Sequence, residues 1–323
     1  MKRKLWTLLL ALGAALALCA GASAKTVEND FYVALQATNG SIKLENDFVY
    51  EKAMEVDNNL TIDLNGYVLT IPKSICVNSG AHLTIKDSGS NATHKFKPNG
   101  DGLWVLDENG TKTVKGGVIT GGTGYPIQFG SGAHAYTAYY GGAVYIKPGG
   151  KLNMEGGSIV GCSAVYGGGV YVAGEFVMTG GSIIGCAADR GGGVCMRDDD
   201  AVFNMSGSAA IRYCKAASKD SSYAPGGGVY ALGAFTMSGN AAICDCECIT
   251  GSGRAAGGGV YVSHHNKNTT FTMSGSAVIE SCKVTASSQN SWTGSYGGGV
   301  YVSSRSSLTL KDQAAIRKCS AKN

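Results

Sequence analysis

Apolar positions in residues 141–323 recur in a unit that occurs six times. Each unit opens with Gly-Gly-x-Val followed by Tyr or, once, by Cys, and successive units begin 26, 24, 35, 31 and 40 residues apart. The first glycines of the units are Gly141, Gly167, Gly191, Gly226, Gly257 and Gly297. Self-similarity at a spacing of this size is typical of repeat proteins, in which stacked units share one core.

Each unit continues with two further apolar clusters. In the first of these clusters, an aromatic residue or Leu is followed two positions later by Met or Leu. In the second, an Ile lies five or six residues after that Met or Leu, and a Cys lies three residues after the Ile. These cysteines are Cys162, Cys186, Cys214, Cys246, Cys282 and Cys319. In the first two clusters apolar and other residues alternate, which is the period of a strand with one buried face, and no helical period is present.

A unit of 24 to 40 residues cannot bury its own apolar side, so we expect the units to stack. Equivalent positions would then lie about 4.8 Å apart and form parallel sheets. The sequence therefore predicts an all-β fold, a single-stranded parallel β-helix with about 24 to 40 residues per coil. The glycine run is expected at a corner, because a residue without Cβ tolerates positive φ and close backbone approach.

The differences in unit length are concentrated in particular segments. The spacing from Met or Leu to Cys is 8 or 9 residues in every unit, whereas 5 to 15 residues separate the Cys from the next glycine run. The longest of these segments are Lys215–Pro225, Glu247–Ala256 and Lys283–Tyr296. We expect them to be loops, and loops on one face of a repeat protein commonly carry its binding function.

The first residues predict export. Three basic residues at positions 2–4 precede an apolar run over residues 5–20 and a small-residue site that ends at Ala24, which is the pattern of a secretory signal peptide. A membrane-spanning helix is the competing interpretation, but about 16 apolar residues are fewer than the ~20 that a bilayer requires. Residues 1–24 are therefore predicted to be a signal peptide, the mature chain to lack a transmembrane segment, and the protein to be secreted or at the cell surface.

Three further segments complete the predicted organisation. Residues 25–40 are predicted to form an N-terminal cap or first strand, because the end of a β-helix exposes unpaired backbone. Residues 41–140 alternate like strands but lack the glycine run, so they are predicted to be irregular coils. Residues 141–323 are predicted to be the regular coils.

Composition and charge narrow the function classes. The chain has 49 Gly, 5 Pro and only 15% charged residues, but its 44% hydrophobic residues are too many for a disordered chain. Removal of residues 1–24 takes away three basic residues and no acidic one, which leaves 24 basic against 23 acidic residues, a net charge of +1. A nucleic-acid partner needs a dense basic surface and is therefore not expected.

The segments Leu60–Leu69 and Val77–Asp87, followed by GGGVYV, FTMSGSA and I-x-x-C, resemble the right-handed β-helix repeats of adhesin-like surface proteins from gut bacteria. The resemblance covers roughly residues 40–319. It implies a right-handed, pectate-lyase-like solenoid. The same fold carries polysaccharide lyases, glycosidases and adhesins, so the resemblance leaves the activity open.

Five tyrosines lie between two inward-pointing residues of the Val-x-Val type, so they are predicted to face outward as a ladder, broken by Cys195. One interpretation is structural, because stacked aromatic residues stabilise a sheet face. The other is a flat aromatic strip on which sugar rings could lie. The predicted ligand-binding residues are Tyr145, Tyr171, Tyr230, Tyr261 and Tyr301.

The carboxylates do not predict an active site. Glycosidases place two carboxylates on either side of the scissile bond. The densest acidic segment is Arg197–Asp200, but neighbouring units supply no matching acids, and Asp245 and Glu247 are isolated. The acidic segment is interpreted as a solvated turn, and no catalytic residue is predicted. Binding to a glycan or a surface protein is favoured over catalysis, with a carbohydrate-active enzyme as the alternative and a structural spacer as a third hypothesis.

The six equivalent cysteines predict a column of buried, reduced thiols, because side chains that point the same way fit disulfide torsions poorly. The segment Cys244–Cys248 lacks the C-x-x-C pairing of zinc sites. His264 and His265 are interpreted as part of a solvated turn. No metal or other cofactor is therefore predicted, and the oligomeric state is left open.

Overall fold

The computed structural model describes residues 30–89, 91–218, 223–251, 253–286 and 294–322. Regular structure is almost entirely β, apart from a helix at residues 30–36 and a 3-10 turn at Gly132–His134. The predicted signal peptide lies outside the described residues. Within the described ranges, no helix combines the length and the apolarity needed to cross a bilayer.

Two of the four long sheets are formed by the second and third apolar clusters of each repeat, and all their strands are parallel. The strands of the first, called the Phe–Met sheet, are Asn39–Lys43, Asn59–Asp63, His82–Lys86, Lys151–Met154, Glu175–Met178, Val202–Met205, Ala234–Met237, Thr269–Met273 and Ser306–Leu310. Those of the second, called the Ile sheet, are Phe48–Val49, Val68–Thr70, Val118–Thr120, Ser158–Val160, Ser182–Ile184, Ala210–Arg212, Ala242–Cys244, Val278–Glu280 and Ala315–Arg317.

The other two long sheets flank the glycine run. The strands of the Val–Tyr sheet are parallel and are Met54–Val56, Ile75–Val77, Val144–Ile146, Val170–Val172, Val194–Met196, Val229–Ala231, Val260–Val262 and Val300–Val302. The lateral sheet begins with an antiparallel hairpin and continues with parallel strands. Its strands are Tyr125–Phe129, Tyr136–Tyr140, Ser163–Tyr166, Ala187–Arg190, Lys215–Ser218, Glu247–Thr250, Lys283–Ala286 and Ser320–Lys322.

Two three-stranded sheets lie beside these four. One is antiparallel and consists of Thr93–Pro98, Trp104–Leu106 and Lys112–Lys115. The other is parallel and consists of Tyr223–Pro225, Arg254–Ala256 and Gly294–Tyr296. Taken together, the described residues form a nearly all-β molecule of stacked parallel sheets, an architecture compatible with a β-solenoid.

Equivalent residues of successive repeats lie side by side. Phe203 pairs with Phe176 on one side and with Phe235 on the other. The ring centroids in these pairs are 4.6 and 5.0 Å apart, and the planes differ by only 3° and 9°. The fully buried side chains that one repeat contributes to the core include Val194, Met196, Phe203, Ile211 and Cys214. The predicted stacking of equivalent apolar positions is therefore present.

The thiols form one of these buried columns. The Cys214 Sγ lies 3.6 Å from the carbonyl oxygen of Ile183 and 3.4 Å from that of Arg212. Burial raises the pKa of this thiol well above its usual value. All ten cysteines among the described residues are free, so the column packs as small apolar side chains rather than as cross-links.

The glycine run lies at a bend between the lateral and the Val–Tyr sheets, as predicted. Gly191 has φ +64°, which favours a residue without Cβ. A Cβ on Gly192 would lie 2.5 Å from the carbonyl oxygen of Gly227 in the next repeat. The corner therefore needs glycine both for its dihedral angles and for the close approach of neighbouring repeats.

The N-terminal part is less regular. Phe31, in the helix at residues 30–36, is fully buried in the main core and stacks on Phe48 with ring centroids 5.7 Å apart. The first strand of the Phe–Met sheet starts at Asn39. Residues 25–40 were predicted as a cap or first strand, and their described part contains this helix and the start of that strand. Whether they act as a cap stays a prediction.

Trp104 attaches the antiparallel sheet to the repeats. Its backbone N–H donates to the carbonyl oxygen of Gly185, at 3.0 Å. A Cβ on Gly161 would lie 1.6 Å from the Trp104 carbonyl oxygen, and a Cβ on Gly185 would lie 2.2 Å from the Trp104 ring. The ring then stacks on Tyr213 of the following repeat, with centroids 5.2 Å apart. Alternation alone did not distinguish this sheet from the parallel coils predicted for residues 41–140.

Candidate binding site

The five predicted tyrosines do point away from the main core. Each is the central residue of a Val–Tyr strand whose neighbours point inward, so its side chain points to the other face. Register places Tyr145 beside Tyr171, and Tyr261 beside both Tyr230 and Tyr301. The five rings belong to an apolar cluster that is separate from the main core. We call these five residues the tyrosine ladder.

The ladder is not an open aromatic strip, which was one of the two interpretations of the sequence. Tyr145, Tyr171, Tyr230 and Tyr261 are only 6 to 9% exposed, and Tyr301 is half-buried. Alternation predicts the direction of a side chain but not what lies over it. Here a second row of side chains, from the lateral sheet and the long loops, packs against the ladder.

This covering row consists of Tyr140, Tyr166, Arg190, Tyr223, Arg254 and Tyr296. Three of its tyrosines meet ladder tyrosines edge to face. The Tyr140 and Tyr171 centroids are 4.7 Å apart with planes at 82°, and those of Tyr223 and Tyr261 are 5.8 Å apart with planes at 80°. Edge-to-face geometry is favourable because the positive ring edge meets the negative face of the other ring.

The long loops supply half of the covering row. Their described ends form the three-stranded parallel sheet, which carries Tyr223, Arg254 and Tyr296. Small side chains, such as Ala224 and Ala255, pack this sheet against the lateral sheet. Residues 219–222, 252 and 287–293 of the predicted loops lie outside the described residues. The loops and the ladder, predicted separately as binding elements, thus meet on one face.

The arginines of the covering row lie over tyrosine rings. The Arg190 guanidinium carbon is 5.8 Å from the Tyr166 ring centroid and 5.7 Å from that of Tyr223. Arg254 lies 4.9 Å from the Tyr296 ring and 4.8 Å from the Tyr301 ring, and its Nη2 donates to the Tyr301 hydroxyl. These distances are within the range of cation–π contacts.

A third arginine lies at the break in the ladder. Cys195 is fully buried between Tyr171 and Tyr230 in the register of the sheet. Two residues further on, Arg197 points to the same side and lies 4.5 Å from the Tyr166 ring. We call the ladder, the covering row and Arg197 together the tyrosine–arginine face.

The face is positive and rich in neutral hydroxyl groups. None of the salt bridges among the described residues involves Arg190, Arg197 or Arg254. The Nε atom of Arg254 is buried without a hydrogen-bond partner. Burial raises the pKa of Tyr145 to about 12, and that of Tyr171 rises for the same reason. These two phenols therefore stay protonated at neutral pH.

The acidic segment after Arg197 contacts another loop rather than only solvent. The Asn266 backbone N–H donates to both Asp199 carboxylate oxygens, at 3.3 and 3.1 Å, and Lys267 pairs with Asp200. His265 Nδ1 is 3.8 Å from Asp199. The interpretation as a solvated turn thus holds for Asp200, which is exposed, but not for Asp199, whose side chain is only 10% exposed.

A second candidate site lies on the outer face of the lateral sheet. A cleft of about 220 Å³ has a floor of small residues that includes the paired Ala164 and Ala188. Asp101, Asp189 and Lys215 line it. We call it the alanine cleft. It brings together Asp189 and Lys215 from two successive repeats and Asp101 from the antiparallel sheet, a combination that the sequence did not predict.

Across the ranges that the structure describes, no three His, Cys, Asp or Glu side chains are grouped so as to hold a metal ion. Comparisons of the chain with family models, curated proteins and solved structures found no match. The function is therefore inferred from the geometry of the tyrosine–arginine face and of the alanine cleft.

Proposed function

We propose that the protein is a secreted or cell-surface, adhesin-like protein that binds glycans through the tyrosine–arginine face. The observation that carries this proposal is the packing of the covering row on the ladder along successive repeats. Tyr and Arg are enriched among the residues that dominate binding energy at interfaces. They offer flat apolar surface together with hydrogen-bond donors, and a sugar ring has both apolar and hydroxyl-bearing surface.

We propose that the scaffold is a single-stranded, right-handed parallel β-helix. Parallel strands of one sheet are joined by right-handed connections in about 98% of cases. The registers Val170 to Val194 and Val260 to Val300 correspond to 24 and 40 residues, the shortest and longest coils expected from the glycine spacing. The resemblance to adhesin-like repeats supports the same hand.

We also propose that residues 1–24 direct export and are removed. The basic, apolar and small-residue segments at the start of the chain support this proposal. Expression of the full chain in a secreting host, followed by N-terminal sequencing of the exported protein, tests it. We expect the mature protein to begin at Lys25. Retention of the whole product in the cytoplasm would contradict the proposal.

Glycan binding is tested with the mature chain on a glycan array, followed by calorimetry with the best ligand. The variant Tyr166→Ala removes a half-buried ring of the covering row. We expect it to weaken binding about tenfold or more, the usual effect of a central aromatic contact. Tyr32→Ala is the matched control, because Tyr32 is 64% exposed on the helix at residues 30–36.

The ladder itself is tested with phenylalanine substitutions, because alanine at a buried tyrosine would leave a cavity. Tyr171→Phe and Tyr230→Phe keep the rings and remove only the hydroxyls. A loss of affinity in these variants, with unchanged melting temperatures, would assign the hydroxyls to ligand contact. Failure of the folded protein to bind any glycan, or equal binding by Tyr166→Ala and wild type, would contradict the proposed function.

The second candidate function is a carbohydrate-active enzyme, and the alanine cleft favours it. Asp101, Asp189 and Lys215 provide two carboxylates and a cation around one cavity, the classes of group that glycosidases and lyases employ. Incubation with pectin, alginate and mucin glycans, with and without calcium, tests this function. New reducing ends or unsaturated products that disappear in Asp189→Asn would place catalysis ahead of binding.

A further inference from the structure

We propose that the break in the ladder at Cys195 is a subsite for an anionic group, a carboxylate or sulfate of an acidic glycan, held by Arg190 and Arg197. The inference rests on the proposed glycan-binding function and adds the charge class of the ligand. The ladder is irregular at this point, because Cys195 lies in register between two tyrosines. A thiol is much smaller than a phenol ring, so the repeat that carries Cys195 leaves room for a different side chain above it.

Two cations lie beside the same tyrosine ring next to this break. The guanidinium carbons of Arg197 and Arg190 lie 4.5 and 5.8 Å from the centroid of the same ring, that of Tyr166. Like charges held near one ring repel each other, and the repulsion is strong where water is partly excluded. Both arginines are half-buried. A bound anion would relieve this repulsion and could accept charge-assisted hydrogen bonds from both guanidinium groups.

The neighbouring acids do not neutralise the pair by direct contact. Among the described residues no carboxylate forms a salt bridge with Arg190 or Arg197. Asp199 and Asp200 instead contact the loop that contains Asn266 and Lys267.

Asp198 is the acid that remains near the subsite. Burial raises its pKa, while the positive charge of Arg197 acts in the opposite direction. Its carboxylate therefore takes up a proton at a higher pH than an unperturbed aspartate does. Anion binding is expected to strengthen as the pH falls and Asp198 becomes neutral, provided that the ligand stays ionised.

The surroundings favour a saccharide over a nucleic acid. The tyrosine–arginine face contains three arginines, Arg190, Arg197 and Arg254, which are too few for a dense basic stripe, and the mature chain carries a net charge of only +1. Nucleic-acid affinity comes largely from neutralising many phosphates at once. An acidic sugar needs one charged contact together with ring and hydroxyl contacts, which the tyrosines Tyr166 and Tyr223 beside Arg190 provide.

The test uses the mature chain with polygalacturonate and its fully methyl-esterified form, which share a backbone and differ in charge. Heparin serves as the sulfated probe. The variants are Arg190→Gln and Arg197→Gln. Arg197→Lys keeps the positive charge but lacks the planar guanidinium group. Arg212→Gln is the control, because Arg212 is exposed on the Ile sheet. Circular dichroism and melting curves establish that each variant is folded.

We expect the wild type to bind an acidic probe at least about tenfold more tightly than the ester, because charge-assisted hydrogen bonds distinguish the two. Arg190→Gln and Arg197→Gln should each lose most of this preference and most of the salt dependence of binding. Arg197→Lys should retain part of the preference and part of the salt dependence. Arg212→Gln should match the wild type. The preferred acidic probe distinguishes a carboxylate from a sulfate subsite.

Two outcomes overturn the inference. Equal binding of the ester and both acidic probes, unchanged by the arginine variants, would disprove the anion subsite and leave the proposed glycan function standing. Binding of single-stranded DNA but of no polysaccharide, lost in the arginine variants, would disprove both.

Discussion

At Gly185 the backbone has φ +56°, and the Trp104 ring occupies the space that a side chain would fill. The same place between the Ile and lateral sheets is occupied by other residue types in the later repeats. Those residues also have positive φ, between 53° and 55°, and are Tyr213, Asp245, Ser281 and Lys318. The backbone thus adopts this strained conformation with or without glycine, and at Gly185 the absence of a side chain serves mainly to admit Trp104.

The contrast between Gly185 and the equivalent residues of later repeats predicts how much one added methyl group at residue 185 destabilises the protein. Gly185→Ala should destabilise the protein by about 2 to 5 kcal/mol, from about 1 to 2 for a left-handed alanine and about 1 to 3 for the clash with Trp104. Gly80→Ala is the matched control, because Gly80 has φ +80° but open space around its Cβ position. Urea denaturation gives the free energies, and hydrogen exchange of residues 93–115 should increase only in Gly185→Ala. Equal losses of unfolding free energy in the two variants would contradict the role of Gly185 in the docking of Trp104.

Asp63 provides a second prediction at this scale. Its Oδ1 accepts hydrogen bonds from the backbone N–H groups of Asn65 and Ser88, at 3.1 and 2.9 Å. Burial acts to raise its pKa, but these hydrogen bonds and the charge of Lys86 outweigh it, so the pKa of Asp63 is lowered. A lowered pKa means that the carboxylate stabilises the fold fully above the unfolded value, about 4, and progressively less as the pH falls through the folded value.

Asp63→Asn should therefore reduce the free energy of unfolding by about 1 kcal/mol at pH 7. The deficit should shrink below about pH 4 and vanish once the wild-type carboxyl is protonated. Chemical denaturation of the wild type and of Asp63→Asn from pH 7 to about pH 2.5 measures this difference in unfolding free energy. A deficit that is independent of pH would show that the charge of Asp63 contributes nothing.

At the scale of elements, strands of three to five residues are stable here only because each one is flanked by equivalent strands. The thiol column shows how fully these positions are enclosed, since Cys162, Cys186 and Cys214 are completely buried. Thiolates rather than thiols react with disulfide reagents. Because burial raises the pKa of Cys214, that thiol should stay unreactive in the native protein.

A thiol titration tests this packing. In a chain that begins at Lys25, ten thiols should react with Ellman's reagent after denaturation without reductant, and most should react slowly in the native state. Cys214→Ala should lower stability by about 1 to 2 kcal/mol through the lost contacts, and Cys244→Ala, at a half-exposed site, by less. Fewer than ten thiols in the denatured chain would indicate disulfides and contradict the reduced column.

The repeats predicted the stacked strands because equivalent residues contact each other, and such contacts leave a periodic trace in the sequence. Contacts between unlike segments leave none. The docking of Trp104 on Gly161 and Gly185 occurs once, so no period reveals it. The cover over the ladder was missed for a different reason, because the residue type of the covering row changes from repeat to repeat. A usable signal was present, since Tyr166 and Arg190 both directly precede a glycine run.

At the scale of the whole molecule, each repeat contacts mainly its neighbours, so removal of one complete repeat should be tolerated. Deletion of residues 226–256 joins Pro225 to Gly257 and lets Val260 pair where Val229 did. We expect a folded protein with native-like circular dichroism and lower stability, as the loss of one nearest-neighbour interface implies. Deletion of residues 226–241 is the control and should not fold, because it removes two strands of a repeat and keeps the rest.

The two rows of the tyrosine–arginine face, the ladder and the covering row, have a consequence for ligand size. Nearly every repeat adds one residue to each row, so contact area should grow in steps as an oligosaccharide lengthens, and affinity should reach a plateau once the chain spans all the repeats that contribute. A shortened protein should reach that plateau with a shorter oligosaccharide. The number of repeats would then set the degree of polymerisation at which binding saturates.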